Sequence, residues 1–77
     1  MNEATSMMQN VRYTAVIFDE DETDLGPLDA FDAQDDEHAR ELAKQAGMKW
    51  LTANGLDRAT IRVSRNGYGL PVVEVHI

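Results

Sequence analysis

There is no cysteine in this chain of 77 residues. That absence removes disulfides, thiolate metal sites and thiol nucleophiles together, and a domain this small without a covalent staple suits a reducing interior. Long apolar runs are missing too: the longest, Ala15 to Phe18, is far too short to cross a bilayer. Met1 to Asn10 lacks a basic start followed by an apolar stretch, so no secretory leader is expected. A soluble, cytoplasmic protein is the expectation. Positive charge is scarce, with 7 Lys and Arg against 14 Asp and Glu. Nucleic-acid binding is therefore not expected, because readers of nucleic acid carry a basic footprint.

What is present is enough apolar material, 43% of residues, for one real core and no second domain. The charge is unevenly placed. From Met1 to His38 eleven acids face Arg12 alone, a net −10, whereas Ala39 onward carries a net +3. Such asymmetry points to a polarised surface.

Met1 to Asn10 has no hydrophobic period and is expected to be a flexible tail, leaving residues 11–77 as the domain. Val11 to Asp19 is rich in β-branched and aromatic residues, with apolar groups on both faces, which predicts a central strand. The acidic run Asp19 to Asp24 reads as a solvated turn. Pro27 cannot donate to a ladder, so the second strand is expected over Leu28 to Ala33, or at an edge.

Asp35 is a candidate N-cap, with Asp36 and Glu37 at the positive end of the following helix. Ala39, Leu42, Ala43, Ala46, Trp50 and Ala53 recur at three- and four-residue steps as its buried stripe, with Trp50 as a core anchor. Gly47 interrupts that helix at a cost of about 1 kcal/mol relative to Ala. Gly55 and Leu56 mark its end as a Schellman motif. Thr60 to Asn66 and Leu70 to Ile77 alternate cleanly around an Asn66-Gly67 turn signal, with Val72, Glu74 and His76 on the outward face. The expected fold is α+β in ββαββ order, a four-stranded antiparallel sheet with one helix packed on one face. The uncovered face must tolerate water, lie under the tail, or meet a second copy.

Three motifs invite chemistry. The strand ending in Asp19-Glu20-Asp21-Glu22-Thr23 resembles the first motif of the haloacid-dehalogenase-like phosphatases. That likeness implies Asp19 as nucleophile and Asp21 as general acid on a Mg²⁺-dependent phosphate site. Glu22 stands where that family has glycine, and the family needs a parallel sheet to bring a distant lysine, so the charged turn is the stronger reading. Read as a calcium loop, the same residues lack glycine at the sixth place and glutamate at the twelfth. His38 and the Glu74–His76 pair fall short of a metal-ligand set, so no metal or cofactor is expected. Arg58, Arg62 and Arg65 with Tyr68 form the only basic patch with an aromatic neighbour.

Arg12 to Asp21, Phe31 to Leu51, Ile61 to Val63 and Val72 to Val75 together look like the small ββαββ proteins of unknown function common in bacteria. The first half is also similar to the sheet of HicB-type antitoxins, although their central Gly-Cys element and DNA-binding extension are not found here. In size, acidity and one-helix build the chain resembles phage-encoded anti-CRISPR proteins, several of which present carboxylates where a CRISPR complex expects phosphates. The expected function is a small non-enzymatic module that docks on a basic partner surface, in its sharpest form a nucleic-acid mimic. The partner-binding candidates are Asp19, Glu20, Asp21, Glu22, Asp24, Asp29, Asp32, Asp35 and Asp36, gathered at one end of the scaffold. The alternatives are a homodimeric adaptor or antitoxin-like protein and, third, a minimal phosphatase.

Overall fold

The computed structural model describes residues 10–65 and 70–77. The expected tail, but for Asn10, lies outside them, as do the Asn66-Gly67 turn and Tyr68. Strand β1 (Val11–Phe18) is followed by β2 (Asp24–Ala33), helix α1 (Asp36–Ala53), β3 (Thr60–Arg65) and β4 (Val73–His76). The strands form one antiparallel sheet in the order β2-β1-β3-β4. The ββαββ architecture is thus the one expected, with β1 central.

Alternation along the strands sets the core. Tyr13, Ala15 and Ile17 of β1, Ile61 and Val63 of β3, and Val73 and Val75 of β4 are buried together beneath Ala39, Ala43 and Leu51 of the helix. Tyr13 is the largest of the fully buried side chains and stacks on Phe31, ring centroids 5.9 Å apart.

Both ends of the helix form as the sequence implies. Asp35 has extended backbone and accepts the His38 N–H on its Oδ1 at 2.8 Å. His38 returns the favour, its Nδ1 accepting the Gln34 N–H at 3.1 Å, so this histidine helps to cap a helix start. At the other end Gly55 takes φ +70°, and the Leu56 N–H reaches the Leu51 carbonyl at 2.9 Å, the six-to-one bond of a Schellman motif.

Three expectations need correction. Strand β2 begins at Asp24 and runs through Pro27, which an edge strand tolerates because one row of its backbone groups has no partner strand. Its register against β1 slips twice, leaving Leu25 and the Asp29–Ala30 step as bulges. The buried stripe of the helix is Ala39, Ala43, Gly47 and Leu51; Leu42, Ala46 and Trp50 are only half-buried and Ala53 is exposed. Val72 does not join the uncovered face: its N–H bonds the Val63 carbonyl at 2.8 Å and its side chain packs against the core.

The uncovered face tolerates water because it is a lattice of charge. Arg12 pairs with Asp32 across β1 and β2 at 2.9 Å. Arg62 lies 4.7 Å over the Phe18 ring, with Glu74 at 2.8 Å on one side and Glu22 at 2.7 Å on the other. The sheet edges are blunted as well. Pro27, two bulges and the aspartates interrupt β2, while β4 has four residues and gives its Glu74 carbonyl to the Arg40 guanidinium at 3.2 Å.

Candidate functional site

The nine candidate carboxylates belong to three elements. Asp19 to Glu22 lie in the β1–β2 turn, Asp24, Asp29 and Asp32 lie along β2, and Asp35 and Asp36 start the helix. Ten residues of strand separate the turn from the helix start, about 30 Å at 3.3 Å per residue. The expectation of a cluster at one end is therefore corrected: the acids are spread over both ends of the sheet, with Glu20 and Glu22 turned toward Arg58 and Arg62, Asp24, Asp29 and Asp32 on β2, and Asp36 held by Arg65.

The turn is built by its own aspartates. Asp19 Oδ1 accepts the N–H groups of Asp21 at 2.8 Å and Thr23 at 2.9 Å, and the Glu22 N–H closes on the Asp19 carbonyl at 3.1 Å. A three-residue loop of this kind places its last residue in the left-handed region, where glycine is favoured. Glu22 sits there at φ +65°. Its ion pair to Arg62 ties the strained position down to β3. Asp24 Oδ1 accepts the Gly26 N–H at 2.8 Å, which supports the first bulge. The phosphatase-like motif thus sits on an antiparallel hairpin, with its would-be nucleophile holding the turn together.

Four of the nine acids are paired with the chain's own arginines. Glu20 faces Arg58 at 3.5 Å, Glu22 faces Arg62, Asp32 faces Arg12, and Asp36 meets Arg65 through both carboxylate oxygens, at 3.0 and 3.2 Å. Asp36 also accepts the buried Tyr13 hydroxyl at 2.7 Å, so one carboxylate joins β1, α1 and β3. Asp35 serves as the N-cap. Asp19 uses one oxygen inside the turn, and Asp24 uses one at the first bulge of β2. The carboxylates of Asp21 and Asp29 have no hydrogen bond or ion pair among the described residues, and both residues are exposed. The arginines grouped as a phosphate-gripping patch, Arg58, Arg62 and Arg65, are the ones that neutralise three of these four acids. Among the described residues, no three His, Asp or Glu side chains converge as a metal site would require. Glu74 and His76 do meet, at 3.4 Å, on the uncovered face.

The ion pairs leave a pH signature. The Arg65 guanidinium, and after it the Tyr13 hydroxyl, holds the Asp36 carboxyl below its usual range; Arg62 does the same for Glu74. A carboxyl depressed in the folded state adds stability above its unfolded pKa and loses it as pH falls toward the folded value. Folding stability should accordingly decline below about pH 4, and Asp36→Asn should make that decline shallower while lowering stability at neutral pH. Urea midpoints at pH 7, 4 and 2.5 test this; an acid limb of unchanged steepness in Asp36→Asn would show that the pair has no role in acid unfolding.

Sequence reasoning missed Arg40, Arg62 and Arg65 as structural partners, since each reaches a residue at least 29 positions away. It also missed a groove between β2 and α1, where Leu28 and Phe31 face Leu42, Ala46 and Trp50. No helix among the described residues is long and apolar enough to cross a membrane. Comparison with protein-family models, with curated proteins and with solved structures finds no match to this chain.

Proposed function

We propose that this chain is a non-catalytic binding module that engages a basic surface of a partner protein through its acidic β2 flank. The observation that carries the reading is the exposed carboxylates of the edge strand β2, Asp24, Asp29 and Asp32, and of the turn before it, with the Asp21 and Asp29 side chains unpaired among the described residues. Charges arranged on one side of a rigid body steer encounter with an oppositely charged partner. Nucleic-acid mimicry is the narrower version. It has fewer carboxylates to work with than the composition implies, because Glu20, Glu22, Asp32 and Asp36 are held internally.

The homodimeric alternative draws less support. The uncovered sheet face sets its apolar residues, Val16 and Phe18, among ion pairs, with Arg62 covering the Phe18 ring, and each edge carries features that oppose strand addition.

Charge reversal at Asp21 and Asp29 tests the main reading without disturbing the turn, the helix cap or an ion pair. Tagged wild-type protein should capture a partner from a lysate of its source organism. Asp21→Lys with Asp29→Lys should lower recovery on the order of tenfold, and raising salt from about 0.05 to 0.5 M should weaken the wild-type complex. Capture indifferent to both changes would end the electrostatic reading.

A further inference from the structure

Asn54 and Gly55 follow the last residue of helix α1, and both are exposed. Asparagine before glycine is the pair most prone to lose its side-chain amide, because glycine has no side chain to keep its backbone nitrogen away from the asparagine Cγ. In that reaction the Gly55 nitrogen bonds to Cγ of Asn54 as its proton passes to solvent. The Cγ–Nδ2 bond breaks and Nδ2 leaves as ammonia. Water then opens the cyclic imide to aspartate or, with the main chain rerouted through Cβ, to isoaspartate.

The folded cap opposes each step. Ring closure requires Cβ of Asn54 to eclipse the Gly55 nitrogen about the Cα–C bond. At ψ 7° that nitrogen eclipses Asn54's own nitrogen instead. The Gly55 N–H is engaged with the Thr52 carbonyl at 3.3 Å, and Asn54 Nδ2, the leaving atom, donates to the Trp50 carbonyl at 2.8 Å. Beyond them the Leu56 N–H holds the Leu51 carbonyl at 2.9 Å, so turning Asn54 into the reactive shape means breaking the Schellman bonds.

We propose that Asn54–Gly55 is a deamidation site that this cap holds closed, reacting only while the last turn of α1 is open, and that the product does not close again. Helix ends open locally without unfolding the rest of a domain. Either product sets a carboxylate, which only accepts, against the Trp50 carbonyl that Nδ2 serves. It also adds negative charge at the negative end of a helix whose last turn holds no basic residue. Isoaspartate further lengthens the main chain between Leu51 and Leu56.

Trypsin releases residues 50–58 as one peptide whose single side-chain amide is Asn54, while Asn66–Gly67, outside the described residues, falls in another fragment. Wild-type protein is held at mildly alkaline pH, native or in guanidinium chloride, beside a synthetic peptide of residues 50–58 in both solvents, and amide loss is followed by mass. The unfolded chain should react as fast as the free peptide, and the native chain at least about tenfold more slowly. That slowing should equal the hydrogen-exchange protection of the Leu56 amide, whose bond to Leu51 closes the cap. Equal rates in the native and unfolded chains overturn the proposal. Amide loss faster than the Leu56 protection allows also overturns it, since the closed cap would then be reactive. Loss far slower than that protection allows overturns it too, because some larger unfolding would be the gate. Asn54→Asp, which carries the charge of one product, should weaken Leu56 protection on the order of tenfold. Protection equal to that of the wild type would show that the cap accepts the product, and would overturn the proposal.

Discussion

Tyr13→Ala is expected to bring this domain close to unfolding, while Tyr13→Phe is expected to leave it folded and only slightly weaker. Tyr13 is 1% exposed in the middle of the central strand, stacked on Phe31 and bonded to Asp36. Removing a buried aromatic ring costs about 3–5 kcal/mol, transfer and cavity together. A domain of this length has roughly 4–12 kcal/mol in total, so the alanine variant gives up a large share of it. The phenylalanine variant keeps the ring and loses one hydrogen bond, worth about 1 kcal/mol. Asp36 is not orphaned by that change, because Arg65 still holds both of its oxygens. Urea unfolding followed by circular dichroism separates the two. Equal losses in the two variants would mean that the hydroxyl, and not the packed ring, secures the centre of the sheet.

The hydroxyl has a second consequence at high pH. Burial, and after it the Asp36 carboxylate, raises the Tyr13 pKa above its ordinary value, so the neutral form is the one compatible with the fold. Stability contributed this way is complete below the unfolded tyrosine pKa and fades as pH climbs beyond it. Tyr13 is therefore a packing residue whose hydroxyl helps to fasten the first turn of the helix onto the sheet.

Much of this architecture is legible in the chain because local chemistry decides it. Asp35 caps the helix with its own carboxylate, Gly55 takes a backbone shape that other residues resist, and Tyr13, Ala15 and Ile17 recur at every second position of a β-branched and aromatic run. None of these needs information from far along the sequence. The start of β2 was hidden because Pro27 breaks a ladder only where a neighbour needs its N–H, and that depends on the strand being at an edge. The acidic surface was overstated for a related reason. Glu22 is neutralised by a residue 40 positions away and Asp36 by one 29 positions away, and no helical or strand spacing encodes those pairs. Periodicity also located the apolar arc of the helix without locating the sector that meets the sheet. Ala46 and Trp50 fit the arc as well as Ala43 does, and Gly47, having no side chain, adds nothing to a hydrophobic pattern. Yet Gly47 is buried against the sheet and Trp50 lines a groove.

Gly47 supplies the sharper test, because sequence and structure predict opposite signs. Propensity alone says that Gly47→Ala should stabilise the helix by about 1 kcal/mol. In the fold, a Cβ built at Gly47 would collide with Cδ1 of Ile61 and lie 3.1 Å from Cδ1 of Ile77. Ile61 is fully buried in the core cluster, so its methyl cannot swing away without displacing other core atoms. Overpacking of this kind costs about 1–3 kcal/mol. It should cancel or reverse the propensity gain for alanine, and Gly47→Val, larger and β-branched, should lose about 3 kcal/mol. The cause can be isolated with Ile61→Val, which deletes the offending methyl at a cost of about 1 kcal/mol by itself. In that background Gly47→Ala should become neutral or stabilising, a coupling between two residues 14 positions apart that only contact can produce. If Gly47→Ala stabilises the wild type by the full helical increment, the helix does not approach the sheet as closely as the packing of Ala39, Ala43 and Gly47 requires. The half-buried Leu42, Ala46 and Trp50 would then have to be reassigned to the core, and the groove beside β2 would lose its floor.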